Sequence, residues 1–147
     1  MAEIQAHSTI QREISLPNDI ETIPQLCETI DSFAEESGLE MSLTMSLNLA
    51  IEEAVVNVME YAYPAGTKGE VDVQMSSNGQ EIVFILSDSG VAFDPTKHKE
   101  ADTTLSAEER SIGGLGIHLV RQIMDSISYQ RTEGRNILTL KKKILTI

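Results

Sequence analysis

Three clusters of residues in this chain have the types and spacing that handle a charged ligand. The first is Asp88-Ser89-Gly90-Val91-Ala92-Phe93-Asp94-Pro95. Asp88 closes the apolar run Ile82-Val83-Phe84-Ile85-Leu86, so its carboxylate stands where a buried strand opens into a loop, a common place for ligand groups. Further along lies Gly113-Gly114-Leu115-Gly116-Ile117, which opens a helical segment. Backbone N–H groups at a helix N-terminus lack intrahelical partners, and the helix dipole favours an anion there. The two clusters read together as a nucleotide pocket, with the base at Asp88 and the phosphates at Gly114, Leu115 and Gly116.

The third cluster lies upstream, in Leu49-Ala50-Ile51-Glu52-Glu53-Ala54-Val55-Val56-Asn57-Val58-Met59-Glu60-Tyr61. Leu47, Ala50, Ile51, Ala54, Val58 and Ala62 recur at helical spacing and form a buried stripe. At about 100° per residue, Glu52 turns away from that stripe, while Glu53 and Asn57, one turn apart, run together along its flank. A carboxylate beside a carboxamide suits a general base next to an oxygen ligand for Mg²⁺, which takes few protein ligands and keeps its waters and phosphates. Each cluster also has a plainer reading. Glu53 and Asn57 make an ordinary solvated i, i+4 pair, Asp88 a turn aspartate, and Gly114 and Gly116 a helix start tucked against a sheet.

The order of the three clusters is more specific than any one of them. It resembles the N, G1 and G2 boxes of the superfamily of gyrase, heat-shock chaperone, histidine kinase and mismatch-repair ATPases. The pattern E-E-A-V-V-N-V-x-x-Y-A-Y, D-S-G-V-A-F-D-P, G-G-L-G-I-H-L-V, M-D and G-R-N-I-L-T-L-K-K is similar, more narrowly, to the anti-sigma factor serine/threonine kinases of bacterial partner switching. That resemblance covers nearly the whole chain. It implies a Bergerat-type fold holding ATP between a helical layer and a lid, with the adenine amino group bonded to Asp88 and with Gly90 and Phe93 in the nucleotide-binding loop. It further implies transfer of phosphate to a serine or threonine of a small anti-anti-sigma protein, and a sigma factor as second partner. Homodimerisation stays open. Ala92 stands where many relatives carry a second glycine.

Other classes remain beside the kinase. One is a non-catalytic ATP-binding switch that sequesters a protein partner. Another is a detached histidine-kinase ATPase module, since the residues before the first strand are too few for a dimerisation helix pair with a phospho-acceptor histidine. Lys97, Lys99 and Arg110 offer positive charge to a triphosphate, and Arg110, just before the glycines, is the preferred one. His98 and His118 have no cysteine or histidine partners at metal-ligand spacing, so no structural zinc is expected.

Composition narrows the partners. With 11 Lys plus Arg against 23 Asp plus Glu, a net charge of −12, the surface repels nucleic acid and anionic lipid. A chain of 147 residues, 41% hydrophobic and 23% charged, reads as one globular domain over 1–147. The absence of a membrane-length apolar run or a signal-peptide pattern points to the cytoplasm. Cys27, among Ile20, Ile23, Leu26 and Ile30, reads as a core residue.

The elements that must position these groups follow from periodicity. A strand is expected near 9–16, then a helix from the Asn18-Asp19 cap to Ser37, stopped by Gly38. A second helix spans about 41–61. Alternating Val71, Val73 and Met75, a turn at Asn78-Gly79 and a return strand at 81–87 make a hairpin. A polar stretch, 94–112, is long enough for a lid. A helix at about 114–126 precedes a last hairpin, 128–132 and 135–142, turning at Glu133-Gly134. The fold class is α+β, a two-layer sandwich with helices on one face of an antiparallel or mixed sheet.

Overall fold

The computed structural model describes residues 9–97 and 112–144, with backbone alone for 112–116. Strand β1 (Ile10–Pro17) leads into helices α1 (Ile23–Ser37) and α2 (Met41–Tyr61). A hairpin follows, β2 (Glu70–Ser77) and β3 (Glu81–Asp88), then α3 (Ile112–Ile123) and a second hairpin, β4 (Ser126–Thr132) and β5 (Arg135–Lys143). The sheet order is β1-β2-β3-β5-β4, and every neighbouring pair is antiparallel. The parallel pairing left open by the sequence does not occur among the described strands.

Strand alternation decides which face is buried. Val71, Val73 and Met75 of β2 and Ile82, Phe84 and Leu86 of β3 point inward, and the intervening side chains are more exposed. The helices cover that inner face. Leu26, Ile30 and Phe33 of α1 join Leu47, Ala50, Ile51, Ala54 and Val58 of α2 and Ile117 and Val120 of α3 in one core. Phe33 meets Phe84 edge to face, with centroids 6.2 Å apart, the ring geometry favoured by aromatic quadrupoles.

Local chemistry sets the element ends. Asp19 accepts from the Glu21 N–H at 2.9 Å and starts a short 3-10 turn before α1. Gly38 ends α1 in the left-handed region, φ 71°, where a Cβ is disfavoured, and donates to the Ala34 and Glu35 carbonyls. The last hairpin turns through Glu133 and Gly134, with φ 49° and 78°, as a two-residue turn of matching twist requires.

Two sequence expectations are corrected. α3 starts at Ile112 and ends at Ile123, not Ser126. Its end is cut short because Asp125 belongs to the sheet: its N–H donates to the Lys141 carbonyl at 2.8 Å and its carboxylate accepts from the Lys143 N–H at 2.6 Å. Cys27 is half-buried at the margin of the core, not inside it, because that side of α1 meets Glu52 of α2, 3.7 Å from the thiol.

Candidate functional site

At one end of the sheet the buried face turns polar. The row through the middle is Ile14, Val73, Leu86, Leu138 and Tyr129, whereas the row at this end is Leu16, Val71, Asp88, Asn136 and Arg131. Asp88 and Asn136 are only 2% and 4% exposed. Asn136 donates to Asp88 Oδ1 at 2.9 Å and to the Val91 carbonyl at 2.8 Å. Its own Oδ1 accepts from the Phe93 N–H, the Tyr129 hydroxyl and Arg131 Nη1. One carboxamide therefore ties the 88–93 loop to the sheet.

Asp88 Oδ1 also accepts from the Gly90 N–H at 2.8 Å. Both bonds to Asp88 among the described residues fall on Oδ1, which leaves Oδ2 able to accept from a ligand amine. Burial raises the Asp88 carboxyl above the usual carboxylate range, against the opposite pull of the Asn136 and Gly90 bonds and of Arg131 and Arg135. The site thus holds a desolvated acceptor, which discriminates strongly between a ligand that donates and one that does not.

The loop is fastened to the C-terminal end of α2. The Val91 N–H donates to the Ala62 carbonyl at 2.8 Å, and a Cβ on Gly90 would lie 2.2 Å from that same oxygen. Gly90 is there for close approach and not for a left-handed backbone, since its φ is not positive. Ala92 is exposed, so a methyl in place of a second glycine has room. The Phe93 ring stacks on Tyr61, centroids 5.3 Å apart and planes 27° apart. Tyr63 accepts from the Ser89 N–H at 3.2 Å and donates to the Glu70 carbonyl at 2.8 Å.

Tyr61 lies one turn beyond Asn57, which lies one turn beyond Glu53, so a single ridge of α2 runs from the candidate base to the loop. Asn57 is 2% exposed, more deeply set than a helix flank implies. Among the described residues neither its Nδ2 nor its Oδ1 has a hydrogen-bond partner. A buried amide left so costs on the order of 1–3 kcal/mol per group, and a ligand oxygen or a hydrated cation offers what is missing. The donor set therefore fits Mg²⁺ beside phosphates, a hard cation that accepts amide oxygen. Glu53 is half-buried, and its carboxyl is raised by burial first and then by the charges of Glu52 and Glu60. Glu52 faces α1, within reach of Cys27. Adjacent glutamates thus have different surroundings.

The glycine cluster lies within the start of α3. By helical pattern the N–H groups of Ile112, Gly113 and Gly114 have no helical partner, whereas from the fourth helical position on, Leu115 and Gly116, the N–H turns back along the helix, as the Thr44 N–H does to the Glu40 carbonyl at the start of α2. The helix starts two residues earlier than expected, so Gly113 enters the free turn, and Leu115 and Gly116 leave it. Lys97 is exposed in a 3-10 turn, Pro95–Lys97, capped by Asp94 through the Thr96 N–H at 2.9 Å. Arg110, Lys99 and His98 lie outside the described residues. His118 is exposed and 3.2 Å from Gln122. A cleft of about 610 Å³ behind the Ser89–Val91 loop is lined by Tyr63, Lys68, Asp72, Arg131 and Arg135, with neither Asp88, Asn57 nor Glu53 in its wall. Size alone does not mark the chemistry.

Sequence reasoning passed over Asn136, Tyr61 and Tyr63. Asn136 did leave a signal: it occupies the inward phase of β5 with Leu138 and Leu140, and a polar residue in a buried phase needs partners. The tyrosines left none, because their roles depend on a loop distant in sequence.

Residues 16–142 match the histidine kinase-like ATPase domain family. The chain belongs to that family, and within it to the anti-sigma factor serine/threonine kinases. The serine/threonine-protein kinase BtrW of Bordetella bronchiseptica is 32% identical over 98 residues, 67% of this chain and 69% of that protein. The serine-protein kinase RsbW of Bacillus velezensis is 27% identical over 134 residues, 88% and 83% of the two chains. The fold is also that of the RsbU and RsbW domains of a Mycobacterium tuberculosis protein, TM-score 0.64 at 17% identity over 90% of this chain and 32% of that one. A blue-light activated histidine kinase of Erythrobacter litoralis gives a TM-score of 0.54 at 14% identity, over 96% of this chain and 65% of that one. The chain is an ATP-using protein kinase of the serine/threonine class. No helix among the described residues is long and apolar enough to cross a membrane.

Proposed function

We propose that this kinase regulates transcription by partner switching, transferring the γ-phosphoryl of ATP to a serine or threonine of a small anti-anti-sigma protein and holding a sigma factor when that antagonist is phosphorylated. The observation that carries the site assignment is Asn57, a buried amide with both polar atoms unpaired among the described residues, one turn from a half-buried carboxylate. Asn57 would hold Mg²⁺ through Oδ1. When bound, the ion neutralises charge on the phosphate oxygens.

Asp88 accepts from the adenine amine, Gly90 lets the loop close on α2, and Phe93 stands beside the base. The free N–H groups at the start of α3, that of Gly114 among them, face the phosphates, with Leu115 and Gly116 in the turn behind, and Arg110 supplies charge. Glu53 takes the proton as the acceptor oxygen attacks the γ-phosphorus. The bond from that phosphorus to the β-bridging oxygen breaks, giving a phosphoprotein and ADP. Positioning and charge neutralisation are the main contributions in such transfers. The kinase names of the relatives support this reading, as does the raised Glu53 carboxyl, closer to neutral pH than an ordinary glutamate.

The deciding experiment incubates the purified protein with γ-labelled ATP, Mg²⁺ and candidate acceptors encoded beside its gene, followed by phosphosite mapping. Label on serine or threonine is expected. Label on a histidine, or nucleotide binding with no transfer to any acceptor, overturns the reading.

A further inference from the structure

The helix that carries the candidate base also presents an apolar stripe to solvent. Met41, Met45 and Leu49 are 78%, 66% and 45% exposed. The other faces of α2 are occupied. Leu47, Ala50, Ile51, Ala54 and Val58 lie in the core, while Asn48 bonds Asp31 of α1 at 2.9 Å and Glu52 meets Cys27. Single exposed apolar residues are ordinary on a protein surface; three long ones in a row are not.

The three sit at successive four-residue steps, which make one ridge on a helix. The next step along that ridge is Glu53, and the next is Asn57. With a rise of about 1.5 Å per residue, Leu49 stands roughly 6 Å along the axis from Glu53, and Met41 roughly 18 Å. The stripe therefore points at the candidate base. Methionine suits such a surface, because its flexible thioether adapts to an incoming shape.

Charge describes the partner further. α1 and α2 contain not one Lys or Arg; exposed Glu40 and half-buried Glu53 bracket the stripe, and on one side a cleft lined by Ser42 and Ser46 has Lys142 in its far wall. An apolar line with a carboxylate at each end fits a partner with an apolar centre and Lys or Arg beside it.

From this we infer that the Met41, Met45 and Leu49 ridge is the docking surface for the phosphate-accepting protein, which presents an apolar patch edged with Lys or Arg beside its acceptor hydroxyl. The inference rests on the kinase reading and adds where the protein substrate is held. A partner seated along the ridge has its neighbouring surface carried over Glu53, so that binding energy spent away from the reaction positions the hydroxyl.

The test uses the full chain and the purified acceptor that labelled ATP identifies. Met45→Ser/Leu49→Ser should raise the KM for that acceptor by about tenfold or more, the scale of losing buried interface side chains. Its ATP-induced rise in melting temperature should stay that of the wild type, since neither residue faces the nucleotide. Met45→Leu should restore a near-normal KM, and Ile20→Glu, an exposed apolar position off the ridge, should leave it unchanged. Raised salt should increase the wild-type KM as the carboxylates at the ends of the ridge are screened.

A labelled acceptor whose KM ignores the double substitution overturns the docking proposal alone. Loss of self-association in sedimentation velocity, with acceptor KM unchanged, assigns the ridge to a second copy and overturns it too. If the wild type labels no acceptor, the kinase reading falls and takes the docking proposal with it.

Discussion

Glu53 and Glu52 are neighbours in sequence with opposite fates in the fold. A general base contributes roughly 10²–10⁴ in rate, so Glu53→Gln should lose transfer by about that factor and keep its ATP-induced thermal shift. Glu52→Gln, which alters the contact with α1, should transfer nearly normally; the two rates are read in the same phosphorylation assay. Because burial raises the Glu53 carboxyl, activity should fall toward acid through a limb lying above the usual glutamate range, and Glu53→Gln should lack that limb. Asp88 also couples stability to pH. Its folded pKa is raised by burial, so ionisation costs stability, and this residue's contribution is present below its unfolded pKa and lost as pH rises through the folded one. Asp88→Asn keeps an oxygen for the Gly90 and Asn136 donors and removes the charge. The unliganded variant should therefore melt no lower than wild type at neutral pH, while its response to Mg–ATP shrinks because the new amide can turn a donor toward the adenine amine. Asn136→Ala should do the reverse in part: leaving Val91, Phe93 and Asp88 groups unpaired costs on the order of 1–3 kcal/mol, measurable by denaturant titration, along with weaker nucleotide binding.

At the scale of elements, the site is a junction between one helix end and one strand end. α2 ends where its Ala62 carbonyl takes the Val91 N–H, and β3 ends on Asp88, so the loop between Asp88 and Phe93 is held at both sides. Gly90→Ala tests that closure. Its Cβ would stand 2.2 Å from a backbone oxygen, and because backbone cannot swing aside as a side chain does, the loop must lift at a cost of about 1–3 kcal/mol. Circular dichroism melting should show the loss, and nucleotide affinity should fall with it. Substitution at exposed Ala92, two residues on, should do neither.

The whole molecule is a helical layer laid on one face of an antiparallel sheet, and its stability is concentrated where the layers interlock. Phe84 on β3 and Phe33 on α1 meet there, both fully buried. Phe84→Ala should cost about 3–5 kcal/mol through lost burial and a residual cavity, seen as an earlier urea midpoint. At this scale too the charge is uneven: α1 and α2 are purely acidic, which leaves the exposed ridge of α2 as an apolar line within a negative field.

Much of this was legible in the sequence because it rests on local periodicity and turn chemistry. The second helix was expected at about 41–61 and is found there; Gly38, Asn78-Gly79 and Glu133-Gly134 stand at their helix stop and turns for steric reasons that a few residues contain. Asp88, Glu53 and Asn57 could be singled out because helical spacing and a strand end locate side chains relative to their own element. What the sequence could not give was the meeting of elements. The hub at Asn136 depends on β5 pairing with β3 across an inserted helix, the stack of Tyr61 on Phe93 on the return of a loop, and the reason for Gly90 on a carbonyl far away in the chain. The depth of Asn57, too, was set by neighbours that periodicity does not see. Local sequence determines which faces an element has; only tertiary packing decides what each face meets, and the chemistry of this site is made of those meetings.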